Sequence, residues 1–420
     1  MAHRRRLLVI GAGPVGLEAA LHALPLGYEV RVLEAGRVGE NVVSWGHVPM
    51  FSPWEMNCSS QGLGILARQG VRPFADGRAA PTGREYVARY LLPLRSCPPL
   101  LGIVQERTRV VAVSRDATLK QDRPGDRARA LRPFRVLAES GVRQEIHEAE
   151  VVLDVSGTYG RARELGNGGI PAPGEKEAAT CIDRGVPDLE VPRVAARFAG
   201  RTILLVGAGH SAATSAVALA ALASRHPRTR ILWSFRSTRV PLYPRVPEDP
   251  LTRRDALCAG ANRLAQGSDP RIEPCSGSFV ESIARPSSSA RARLEVILKT
   301  GRRLRRERVD RIATCGPIKL AAALLGEDGG DCLSQVQPSA DRLSNPEPGF
   351  YILGAKSYGR NSTFLIRAGL EQIRTVFAAL AGDPRLDLDV ARLGHRPKRA
   401  GAAAPAVRPP GGDRVPAARG

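Results

Sequence analysis

The chain has 420 residues, 43% hydrophobic and 25% charged, with 62 Lys and Arg against 41 Asp and Glu and a formal charge of +21. That length can bury a core of two domains, and the composition is that of an ordinary soluble globular protein. The longest apolar runs fall well short of the ~18–20 residues of a membrane span, and the basic residues are dispersed, with few aromatics among them to stack on bases. Neither a membrane nor a specific nucleic-acid partner is expected; weak non-specific polyanion binding is.

In chain order, "MAHRRRLLVIGAG" has too short an apolar part for a signal peptide, and Leu7 to Ile10 reads as a buried parallel strand. Val15 to Leu24 carries helical spacing, and Tyr28 to Leu33 is a second strand ending at Glu34, which completes a βαβ unit. Gly36 to Gly62 is Gly/Pro-rich and expected to be irregular; it holds Trp45, His47, Phe51 and Trp54. "GREYVARYLLPLRS", 83–96, reads as helix. "RVVAVSR", "FRVLAES" and "EAEVVLDVSG", within 108–153, read as an antiparallel meander that returns to the sheet, and "DVSGTYG" ends in a turn at Gly157.

Residues 161–195 form a Gly/Pro-rich connector, after which a second βαβ unit starts at Thr202, with Arg230 to Phe235 as its second strand. The Arg- and Pro-rich stretch 244–275 is expected to be an inserted helical lid. "FVESIARP", "ARLEVILKTG" and "VDRIATCG" read as strands closing the second unit. "GFYILGAKSYGR" adds a strand and a turn at Gly354, followed by a helix. From about Arg392 the Pro/Ala/Gly/Arg-rich chain has too few large apolar residues to offset its ordering entropy, so disorder is expected. The expected fold is α/β, with two Rossmann-like dinucleotide-binding domains, one inserted in the other. Residues 1–165 and 317–385 make the outer domain, 190–316 the inserted one and 392–420 a disordered basic tail.

The first turn, Gly11, Gly13 and Gly16, is G-x-G-x-x-G between strand and helix. Gly11 permits the turn, Gly13 lets a pyrophosphate approach the helix N-terminus, and Gly16 lets helix and strand pack closely. Glu34 stands where a carboxylate meets a ribose hydroxyl. The second turn is Gly207, Gly209 and Ala212, and its next strand ends without a carboxylate, at Arg236 and Arg239. A guanidinium there would pair with the 2′-phosphate of NADPH, which Glu34 would repel; the alternative is two more Arg in an Arg-rich chain. Opposite ribose chemistry suggests two different dinucleotides, one held and one exchanged, as with FAD and NADPH.

The sequence of first turn, Glu34, meander, "DVSGTYG", second turn, "RIATCG" and "FYILG" resembles the two-dinucleotide-binding-domain flavoproteins over residues 5–382. These include the pyridine nucleotide–disulfide oxidoreductases and the class B flavin monooxygenases. The resemblance implies FAD on Gly11, Gly13, Gly16 and Glu34, and NADPH on Gly207, Gly209, Ser211 and Arg236, with Arg239 beside it. "GAGHSA" and "DVSGTYG" look more like the monooxygenase branch, although its F-x-G-x-x-x-H is missing. The seven cysteines form no C-x-x-C, and scattered thiols suit a reducing cytoplasm. Where the disulfide reductases usually carry Gly-Asp, this chain reads Gly354-Ala355-Lys356.

In such proteins the loop 44–60 passes over the flavin. Trp45 is then expected to stack near the ring, with His47 or Asn57 as a hydrogen-bond donor, unless these residues are core and satisfied loop. Gly157, Gly354, Arg360 and Asn361 complete the expected contacts. The implied function is reduction of FAD by NADPH followed by oxygenation or oxidation of a small molecule, with molecular oxygen as co-substrate. The alternatives are an NADPH-dependent reductase with an external acceptor and a non-catalytic basic binding protein on a relic flavin fold.

Overall fold

The computed structural model describes residues 4–119, 121–122, 126–160, 164–285, 293–314, 340–343, 347–358 and 364–386. Strand β1, Arg6–Ile10, is buried along its middle, and the helix that follows, Pro14–Ala23, is buried almost all round. An apolar strand followed by an apolar helix has to be covered on both faces, which parallel sheets provide. β2, Glu29–Leu33, pairs in parallel with β1, and β3, Val104–Gln105, pairs with β2. β4, Arg109–Arg115, β5, Phe134–Ser140, and β6, Arg143–Ala149, form the expected antiparallel meander. It leads into β7, Val151–Asp154, which is fully buried and pairs with the other side of β1.

The second sheet gathers β8, Ile182–Arg184, β9, Thr202–Val206, and β10, Arg230–Phe235. It also takes β11, Ile272–Ser276. β12, Ser278–Ala284, β13, Leu294–Thr300, and β14, Arg303–Val309, are a second antiparallel meander, and β15, Arg311–Thr314, returns to pair with β9 and β8. The chain then rejoins the first sheet through β16, Phe350–Ile352, beside β7. The strand orders are β16-β7-β1-β2-β3 and β11-β10-β9-β15-β8. In each sheet the strand order reverses at the strand preceding the glycine turn, and the crevice at its carboxyl end is where open α/β sheets take ligands.

Several local expectations are corrected. The stretch Gly36 to Gly62 is irregular only in part: it holds short helices Glu40–Val43 and Trp54–Asn57 and the start of Ser60–Arg68, which Ser59 caps by accepting from Gly62 N. The helix over 83–96 contains a π turn, Val87–Leu91, closed by Leu92 N on Val87 O. Pro93 has no N–H for Arg89 O and would crowd that carbonyl, and the wider turn accommodates it. The 244–275 stretch is not a lid laid on a finished unit. Its helix, Thr252–Ala265, is the crossover between β10 and the parallel β11, and Cys258 and Ala261 pack into the second core with Ala213, Ala216 and Leu219. Among the described residues no helix is long and apolar enough to cross a membrane. Arg360, Asn361 and the 392–420 tail lie outside the described residues.

Candidate functional site

At the first turn the three glycines do separate work. Gly11 has φ +107°, and a Cβ there would lie 3.0 Å from Ser156 Cα. A Cβ on Gly16 would lie 2.0 Å from Gly11 O, so helix and strand meet here only without side chains. A Cβ on Gly13 meets nothing within 4 Å, so the space before the helix is open. Gly13 is also the N-cap, and no side chain caps this helix. Pro14 has no N–H and Gly16 N donates to Gly13 O, so it is the Val15 N–H in this first turn that keeps its capacity to bind an anion. Glu34 is fixed beside them: Oε2 accepts from Ala12 N at 2.7 Å and Oε1 from Gly36 N at 2.8 Å. Gly157, with φ +72°, also opens on empty space, whereas Gly354, with φ +71°, lies against Val15 and donates its N–H to Gln372 Oε1.

The second turn repeats the geometry with other neighbours. Gly207 has φ +128°, and its N–H donates to Ser234 O at 2.9 Å. Gly209 caps the helix His210–Arg225, again without a side-chain cap and with nothing within 4 Å of an added Cβ. Ala212, at the place of Gly16, is buried and its methyl is accommodated. Behind the turn, Trp233 Nε1 donates to Gly207 O at 2.9 Å and Tyr243 Oη to Gly209 O at 3.3 Å. Ser211 is half-buried, and Arg236 and Arg239 stand exposed just past β10.

The loop after Glu34 reaches the second unit. Phe51 meets the ring of His210 edge-on at 5.3 Å between centroids. His47 Nδ1 lies 3.9 Å from Asp188 Oδ2, as does Arg84 Nη2. Trp45 lies tilted against Tyr159, with centroids 6.5 Å apart. Trp45 Nε1 and His47 Nε2 are buried without a partner, and buried polar atoms are seldom left so. Burial, with the Arg254 guanidinium beside it, holds the His210 imidazole below the usual histidine range against the opposing pull of Asp249.

Asn57 is corrected as a candidate donor. Both of its amide hydrogens are engaged, by Ser52 O and Pro53 O, and its Oδ1 accepts from Ser52 Oγ. It closes the loop and has no hydrogen left for a ligand. Cys58 is buried and its thiol is pushed far up by burial and by Glu18, so it is unreactive. The described cysteines are all free, and the described residues hold no cluster suited to a metal ion. Asp188, Tyr159 and the Asp154–Ser156–Lys356 cluster escaped the sequence reading. Of these, only the departure from Gly-Asp at Gly354-Ala355-Lys356 was visible as a signal, with Ala355 at the place of the usual Asp and Lys356 next to it.

No protein-family model matches the chain, and no curated protein matches it in sequence. Solved structures do match in fold. A bacillithiol disulfide reductase from Bacillus cereus superposes with a TM-score of 0.62 at 17% identity, over 90% of this chain and 99% of that one. The FAD-bound cadaverine monooxygenase of the desferrioxamine pathway of Erwinia amylovora gives 0.62 at 13% identity, over 90% and 95%. An ornithine N-hydroxylase from Kutzneria, solved with reduced FAD, NADP⁺ and L-ornithine, gives 0.60 at 16% identity, over 90% and 99%. In fold, the chain is an α/β protein with the two-Rossmann-unit architecture shared by the pyridine nucleotide–disulfide oxidoreductases and the class B flavin monooxygenases.

Proposed function

We infer that the protein is an FAD-dependent oxidoreductase that takes hydride from NADPH and oxygenates or oxidises a small molecule. The observation that carries this reading is the pair of open glycine cradles with unlike neighbours. One has a carboxylate fixed at its edge and the other has two exposed guanidinium groups. Gly11, Gly13, Gly16 and Glu34 fit FAD, with the Glu34 oxygens accepting from a ribose diol while the helix N-terminus takes the diphosphate. Gly207, Gly209, Ser211, Arg236 and Arg239 fit NADPH, the Arg side chains pairing with its 2′-phosphate. Bound FAD supplies hydride acceptance and, once reduced, reactivity toward oxygen or another acceptor.

The chain's own residues then have definable tasks. The half-buried Trp45 and Phe51 shield the space between the two units from water. Trp45 Nε1 donates to an acceptor placed there, and His47 holds or releases a proton at Nε2. Asp188 comes from the connector and orients His47 from the Nδ1 side once the 3.9 Å gap closes.

The test is direct. Purified protein should be yellow and release FAD, and NADPH should bleach it without oxygen. Isotopically labelled oxygen should then enter a small-molecule product. A colourless protein that fails to bind added FAD overturns the reading. A second reading, a reductase serving an external acceptor, is supported by the likeness in fold to the bacillithiol disulfide reductase. Rapid turnover with an added acceptor and no label in the product would establish it instead.

A further inference from the structure

We propose that Lys356 is a phosphate-binding group of the first glycine turn, held there by Asp154 and Ser156. The proposal rests on reading that turn as a dinucleotide site. Asp154 is the last residue of β7, and its Cα partners are Ile10 of β1 on one side and Ile352 of β16 on the other. Lys356 ends the short helical turn Gly354–Lys356 that follows β16. Residues 202 apart in sequence are thus brought to the carboxyl edge of one sheet, one strand from Gly11. Lys356 Nζ donates to Asp154 Oδ2 and lies 3.2 Å from Ser156 Oγ. Ser156 in turn donates to Asp154 Oδ1 through Oγ at 2.7 Å and through N at 3.1 Å. The backbone of that same Ser156 would touch a Cβ on Gly11.

Charge and donor count give the cluster its purpose. Asp154 is nearly buried, and alone at the mouth of the turn its carboxylate would oppose a ligand bearing two phosphates. The ammonium cancels it. An ammonium has three N–H donors; Asp154 and Ser156 take two, and the Lys356 side chain is 33% exposed, so the third is available to a phosphate oxygen. A lysine is also the unusual choice here, since the chain has only six among its 62 basic residues. A compact ammonium fits between the Asp154 and Ser156 oxygens where a planar guanidinium would need a wider seat.

The test uses the full chain stripped of flavin, with saturating NADP⁺ to fill the second turn. FAD, riboflavin, ADP and adenosine are titrated calorimetrically against wild type, Lys356→Gln, Lys356→Arg and Asp154→Asn. Lys356→Gln should weaken FAD and ADP about tenfold or more at low salt and leave riboflavin and adenosine within about twofold. The salt dependence of ADP binding should flatten in parallel. Lys356→Arg, whose guanidinium needs a wider seat, should recover only part of the loss, and Asp154→Asn, which keeps an acceptor oxygen for Lys356 but leaves the ammonium unopposed, should tighten ADP. Unchanged ADP and FAD affinity in Lys356→Gln, or an equal loss for ADP and adenosine, overturns the proposal. If the Gln variant fails to fold, an Asp154→Asn protein that binds ADP no more tightly than wild type overturns it. Wild type that binds ADP but not FAD refutes the flavin reading and leaves the Lys356 comparison decidable on ADP; wild type that binds neither refutes both.

Discussion

The first glycine turn is the more buried of the two and the second the more exposed. Gly11 and Ala12 are buried and Glu34 is locked to two backbone N–H groups, whereas Ala208, Gly209, Arg236 and Arg239 are exposed. The backbones are nearly the same, so the difference lies in the neighbours. A more buried turn with a fixed acceptor suits a ligand that stays. An open turn whose charged side chains are free to swing suits one that enters and leaves with each turnover. Fold alone does not make that distinction, and the residues beside the glycines do.

The most damaging way to break the comparison is at the helix–strand contact. Gly16→Ala puts a Cβ 2.0 Å from a backbone oxygen, while the second turn already carries a methyl at Ala212. Gly16→Ala should cost about 3 kcal/mol in thermal unfolding and empty the protein of flavin, and Ala212→Gly only about 1 kcal/mol. Equal costs would mean that the two turns are packed alike. The double substitution Arg236→Ala/Arg239→Ala comes next. NADPH should weaken by roughly ten- to a hundredfold in a titration, with NADH and flavin content unchanged. If the double variant prefers NADPH as strongly as its parent, the 2′-phosphate is read elsewhere.

Two smaller effects sharpen the boundary between the turns. His47→Gln should lower turnover about tenfold with little loss of stability. Asn57→Ala should do the reverse, losing about 1–3 kcal/mol and keeping turnover per folded molecule, because it removes buried hydrogen bonds. The smallest effect is a pH dependence at the second turn. Burial holds His210 below the 6.5 of a free histidine, so the unfolded chain takes up its proton first as pH falls. The contribution is therefore complete above about pH 6.5 and is lost as pH drops below it. His210→Asn should flatten the fall in melting temperature between pH 7 and 5, and an unchanged slope would assign that fall to other groups.

The repeating parts of the molecule were legible because one physical requirement governs each of them. Apolar runs such as Leu7–Val9 and Ile203–Leu205 must be buried, and glycines such as Gly11 and Gly207 must turn with positive φ. Strands β6, "RQEIHEA", and β14, "RLRRERV", were not legible, since an exposed edge strand takes charges on both faces and loses its alternation. Glu18 would be read from sequence as a surface residue, yet it is fully buried and accepts from Ser59 and Tyr90. Tyr90 lies in the π turn that Pro93 imposes, which no periodicity announces. Asp188 sits in a connector whose composition promised only slack, and Asp154 meets Lys356 across nearly half the chain. Contacts of that range are fixed by tertiary closure, not by local pattern.

The hydrogen bond from Trp233 to Gly207 O makes the second turn optically self-labelled. The chain has only three tryptophans, and Trp45 and Trp54 belong to the first unit. An indole bonded directly to the loop that a nucleotide would touch senses any shift of that loop in its emission colour. Phenylalanine at positions 45 and 54 would leave a single emitter, so arrival and departure at this turn could be timed by stopped-flow fluorescence, without attaching a dye.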